Sequence, residues 1–68
     1  MIHGTVKWFD TEKGFGFIAQ DGGGPDVFVD YLELEGSGFR ALVAGQRVEF
    51  ELRQVKAGPE AVGVRIVD

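Results

Sequence analysis

Lys13-Gly14-Phe15-Gly16-Phe17-Ile18 is the stretch from which the rest of the chain is read. Lys7-Trp8-Phe9 stands before it and Val27-Phe28-Val29-Asp30-Tyr31 after it. These three strand-like runs all carry aromatic rings, and two of them carry a lysine. Aromatic side chains normally enter a core. Here they are too dense in the first half of a small chain for all of them to fit there. A contiguous set of rings left in water marks a surface that needs a partner.

Within the central stretch, Phe15 to Gln20 reads as a strand. Phe15 and Phe17 share one face, Gly16 and Ile18 the other. Gly16 implies a close backbone approach or a bend at a barrel corner. Upstream, Gly4 to Asp10 reads as a first strand, and strict alternation groups Val6 with Trp8 and Lys7 with Phe9. Polar Asp10 to Gly14 reads as the turn between the two. Downstream, Asp21-Gly22-Gly23-Gly24-Pro25 is a loop. Asp26 to Asp30 is a third strand, with Val27 and Val29 inward and Asp26, Phe28 and Asp30 outward.

Tyr31 to Leu34 suits a single helical or 3-10 turn. Glu35 to Gly38 reads as a flexible linker leading to Phe39 and Arg40. Gln46 to Val55 alternates as a half-buried antiparallel strand, with Val48, Phe50 and Leu52 on one face. Lys56 to Pro59 reads as a turn, and Ala61 to Val67 as the last strand with Val62, Val64 and Ile66 on one face. The expected core is Val6, Ile18, Val27, Val29, Leu34, Val48, Phe50, Val64 and Ile66, and Phe9 reads as core rather than platform. Five short strands without a long helix predict an all-β barrel, since closure hides the strand edges.

The bulk properties narrow the function. Sixty-eight residues predict one domain over residues 1–68, burying roughly 60% of its unfolded surface, with no room for a deep catalytic cavity. The absence of cysteine removes disulfides and thiolate metal sites. Met1-Ile2-His3-Gly4 lacks the basic and apolar runs of a signal peptide, and no run reaches the ~18 apolar residues of a membrane span. A cytoplasmic protein is expected, with no membrane contact. No nucleophile–base pair is visible and His3 stands alone, so no enzyme activity, metal or cofactor is expected. The net charge is −4, with eleven acidic against seven basic residues. That opposes a polyanionic partner unless the local potential of the binding face differs from the whole.

If Val27, Val29 and Ile18 point inward, Phe15, Phe17 and Phe28 point outward. A hairpin of the second and third strands then makes them neighbours. Such a platform suits nucleobases, each stacked base being worth about 1–3 kcal/mol. Lys7 and Lys13 are placed to meet phosphates.

At this point Lys7-Trp8-Phe9, Lys13-Gly14-Phe15-Gly16-Phe17-Ile18 and Val27-Phe28-Val29 resemble the two ribonucleoprotein-like motifs of bacterial cold-shock proteins, and the resemblance runs along essentially the whole chain. It implies a five-stranded antiparallel Greek-key barrel (an OB-fold of the cold-shock type). It also implies binding of single-stranded RNA or DNA, with a role as RNA chaperone or as transcription or translation regulator. Carried over, the stacking residues are Trp8, Phe15, Phe17, Phe28, Tyr31 and Phe39. Lys7 and Lys13 serve phosphates or base edges, and Asp26 accepts a hydrogen bond from a base. Displaying Trp8 on that face conflicts with strict alternation, and a bulge or strong twist after Val6 would reconcile the two.

The chain departs from the resemblance in several places. Asp10 stands where the family usually has asparagine, Asp30 where histidine is common, and Ala57 where arginine is frequent. Leu32 replaces a small polar residue. Asp30 therefore joins the candidate binding residues as an acidic element of the face, and weaker binding than in a typical relative is expected. The other reading is a degenerate OB-fold that uses the same rings to bind a protein partner. Either way a monomer is expected.

Overall fold

A computed structural model describes residues 1–36 and 41–67. The β-favouring runs become β1 (Ile2–Asp10), β2 (Phe15–Gln20), β3 (Val27–Asp30), β4 (Arg47–Val55) and β5 (Gly58–Ile66). A 3-10 turn, Tyr31–Glu33, follows β3. The strands close into a barrel in the order β1-β2-β3-β5-β4, with β1 pairing β4. Every pairing is antiparallel except the seam of β3 with β5, which is parallel through Phe28 and Glu60. Beside that seam, Leu34 forms a parallel bridge with Val64. This is the expected all-β barrel of OB type. None of its helices is long and apolar enough to cross a membrane, among the described residues.

The core contains Val6, Ile18, Val27, Val29, Leu34, Val48, Phe50 and Val64, as expected. Fully burying each of these side chains stabilises the fold by about 1.5–3 kcal/mol. Phe9 and Leu52 pack against the cluster from its margin.

Three expectations in the second half of the chain need correction, and strict alternation along β1 is broken as well. Ile66 is 50% exposed. It pairs with Val48 of β4, but it lies beyond the Leu34–Val64 bridge, so the sheet covers it from one side only. Val62 and Val64 do not share a face. The β4/β5 register shifts between Glu49 and Glu51, so Phe50 faces a bulge in β5. Gly63 sits there at φ +61°, and Ala61, not Val62, joins Val64 inside. Third, the last turn shrinks to Lys56-Ala57, because Gly58 and Pro59 already pair with Val55 and Gln54. Leu42 also enters the core. It belongs to no strand, so no periodicity pointed to it.

In the first half, β1 and β2 show the bulge that the display of Trp8 requires. Val6 pairs with Ile18 and Trp8 with Phe17, leaving Lys7 as the extra residue. Val6 therefore points in, Trp8 out and Phe9 inward again. Gly16 is the contact point of this pair. A Cβ built there would strike the Trp8 carbonyl oxygen and lie 2.8 Å from Phe9 Cα. Both are backbone atoms that yield only if the strands part.

Arg47 closes the barrel from outside. Its guanidinium donates to both carboxylate oxygens of Asp21, at 2.8 and 2.6 Å, and to the Thr5 hydroxyl at 2.9 Å. The hydrogen bonds from Arg47 hold the Asp21 carboxyl below its ordinary value of 3.8.

Two outcomes follow. Gly16→Ala should destabilise the protein by about 1–3 kcal/mol, lowering Tm by about 4–8 °C per kcal/mol in a domain of this size. An unchanged Tm would disprove the tight strand contact. For Asp21, a depressed folded pKa means stabilisation that is full above the ordinary carboxylate value and lost as pH falls through the folded value. Asp21→Asn should lower Tm at neutral pH, and the difference from wild type should vanish in strong acid. A difference that persists there would assign the effect to something other than this ion pair.

Candidate functional site

Strand pairing decides which rings meet. Phe17 lies opposite Phe28 across β2/β3, and Trp8 opposite Phe17 across β1/β2. The four rings close a cycle. Centroid separations are 5.7 Å for Trp8–Phe15, 5.8 Å for Phe15–Phe28, 5.8 Å for Phe28–Phe17 and 5.5 Å for Phe17–Trp8. Phe15 and Phe28 are near-parallel at 28°, while the other pairs are tilted or edge-on. Such geometries each add about 0.5–1.5 kcal/mol beyond burial. Trp8 is 44% exposed, and the three phenylalanines are half-buried because each covers part of its neighbour. Each ring is braced on two sides, so little side-chain entropy remains to be lost when a flat ligand lands on them.

Tyr31 flanks this quartet. Its backbone N–H donates to the Gly14 carbonyl at 2.9 Å. Its ring lies over Gly14, where an added Cβ would come 2.7 Å from Tyr31 Cδ1. Gly14 is at φ +78°, a conformation that glycine adopts without strain. Asp30, paired with Phe15 across the sheet, turns its carboxylate to the backbone and accepts from the Leu32 N–H at 2.9 Å. Asp10 does the same in the preceding turn, accepting from the Glu12 and Lys13 N–H groups at 2.9 and 3.0 Å. Both acidic departures from the resemblance are thus engaged in holding turns.

Lys7 and Asp26 meet each other: the Lys7 ammonium donates to Asp26 Oδ2 at 2.8 Å. Arg47 pairs with Asp21, Arg53 with Glu60 and Glu33, and Arg65 with Glu49. Among the described residues, Lys13 and Lys56 are the remaining lysines and arginines, and neither makes an ion pair. Phe39, the sixth candidate stacking residue, lies outside the described residues. No group of three or more His, Asp or Glu side chains among the described residues is placed to hold a metal.

One part of the site escaped the sequence reading. A groove of about 260 Å³ beside Phe17 and Phe28 is also lined by Asp26 and by Val55, Pro59 and Glu60 of the β4/β5 hairpin. The parallel β3/β5 seam brings these distant segments together. The only local signal was an apolar Val55 and Pro59 flanking a turn, which is weak by itself.

Comparison with known proteins identifies the family. Residues 2–67 match the family described as the 'Cold-shock' DNA-binding domain. The chain is 60% identical to the probable cold shock protein A of Mycolicibacterium smegmatis over 67 residues, covering 98% of this chain and all of that protein. It is 56% identical to the cold shock protein ScoF of Streptomyces coelicolor over 64 residues, covering 94% and 96% of the two chains. A cold shock-like protein of Thermotoga maritima is 51% identical over 67 residues, covering 98% of this chain and all of that one.

Proposed function

The chain belongs to the cold-shock domain family, and on that footing we propose that it binds single-stranded RNA or DNA by stacking bases on the Trp8, Phe15, Phe17 and Phe28 rings. The observation that carries this reading is the closed ring quartet at the barrel surface. Every base has a flat π-face, so the quartet accepts strands of varied sequence. Paired bases have their faces covered, so the same site discriminates against duplex. Tyr31 extends the platform, and the hairpin-tip groove beside Phe28 gives the strand a continuation path. The protein works as a cytoplasmic monomer without cofactor, as an RNA chaperone or a regulator of transcription or translation.

The charges set the character of the binding. Lys13 is available to phosphates, while Lys7 must first leave Asp26. Stacking therefore supplies most of the affinity, and the local ion pairs explain how an acidic chain tolerates a polyanion. With about two or three cationic contacts at about −0.7 each, log K should fall shallowly with log salt.

Titrating short oligo-dT at low ionic strength should quench Trp8 fluorescence, and the same sequence as duplex should bind far more weakly. Phe28→Ala should weaken single-strand binding by about 1–3 kcal/mol, five- to 150-fold. A silent tryptophan, or equal affinity for duplex, would leave the protein-interaction barrel as the better reading. Asp26→Asn releases Lys7 and should steepen the salt slope by about 0.7. A slope already steeper than about −4 in the wild type would mean that cations, not rings, dominate.

A further inference from the structure

We propose that Asp30 is a positioning residue for Tyr31: its carboxylate holds the single turn that presents the tyrosine ring and does not itself meet the strand. The proposal rests on the reading of the aromatic face as a base-stacking surface.

The turn Tyr31–Glu33 is anchored at its far end, where the Glu33 carboxylate accepts from the Gly63 N–H at 3.3 Å and pairs with Arg53, but its Tyr31 end has less to hold it. It buries none of its own side chains, and Tyr31 and Leu32 are 43% and 64% exposed. A helix of three residues is far below the length at which helical hydrogen bonding sustains itself. Its backbone is fixed by three bonds. Tyr31 N–H donates to the Gly14 carbonyl, Leu34 N–H donates to the Tyr31 carbonyl at 3.2 Å, and Leu32 N–H donates to Asp30 Oδ1 at 2.9 Å. Only the last depends on a side chain. Asp30 has the extended backbone of a helix-capping residue, φ −107° and ψ 147°, and its carboxylate satisfies a donor that the short turn leaves without a partner. It is also the last residue of β3, opposite Phe15. The cap thus joins the rigid ring quartet to Tyr31, a ring carried outside the strands.

Charge and positioning predict different behaviour. If Asp30 acted only as a negative charge near phosphates, Asp30→Asn and Asp30→Ala would bind a single strand equally, both more tightly than wild type. Asparagine keeps an acceptor oxygen at the cap, whereas alanine keeps none. Positioning therefore predicts that Asp30→Asn binds at least as well as wild type, while Asp30→Ala binds about two- to tenfold more weakly than Asp30→Asn.

The decisive step repeats the pair in a Tyr31→Ala background, where the two Asp30 variants should bind alike. Oligo-dT titrations read by Trp8 fluorescence measure all six proteins, and thermal unfolding verifies that each is folded at the assay temperature. Should Asp30→Ala fail to fold, Asp30→Gly serves as the variant without an acceptor, since glycine is tolerated at caps. Equal or tighter binding by the variant without an acceptor overturns the proposal. So does a gap between the two variants that survives the loss of Tyr31. A wild-type protein that ignores oligo-dT defeats the base-stacking reading itself, a separate result.

Discussion

Alternation along β2 and β3 is the constraint from which the rest of the molecule follows. A strand cannot bury Ile18, Val27 and Val29 without turning their neighbours to the other face. Those neighbours are Phe15, Phe17 and Phe28. The stability of the core and the display of the rings are therefore one geometric fact seen from two sides. A register slip of one residue would expose the valines and bury the rings together, which ties the display of the rings to the energetics of the fold.

Two glycines let this arrangement close. Gly16 allows β1 to approach β2 so tightly that any side chain would strike the Trp8 and Phe9 backbone. The neighbouring bulge at Lys7 then swings Trp8 outward to complete the ring cycle. Gly14, at the end of the preceding turn, makes room for Tyr31. The resulting surface is rigid at its centre, where each ring is braced by two others. At its edge it is held mainly by backbone hydrogen bonds and carboxylate caps.

The acidic composition looks at first like an argument against a polyanionic partner. In the fold most of it is engaged locally. Asp21, Glu49, Glu60 and Glu33 lie in ion pairs around the barrel, and Asp10 and Asp30 accept backbone hydrogen bonds. Exposed pairs of this kind add little stability, typically 0–1 kcal/mol each. Their larger effect is to cancel charge within a few ångströms, so that net charge says little about the potential over the rings.

Read alone, the sequence determined whatever depends on unbroken short-range periodicity. Ile18, Val27 and Val29 inside and Phe15, Phe17 and Phe28 outside were legible because β2 and β3 run without interruption and period two leaves no other choice. The motif string carried the family and the barrel. Tertiary structure decided whatever depends on a break in that period or on contacts between distant segments. Trp8 needed the bulge at Lys7, and Val62 and Ala61 exchanged faces at the bulge of Gly63. Leu42 entered the core from outside any strand, and Ile66 left it at an uncovered strand end. The groove beside Phe28 exists only because β5 pairs with β3. A bulge inserts one residue and inverts every face after it. Its position is set by how strands from far along the chain fit together, which no local pattern records.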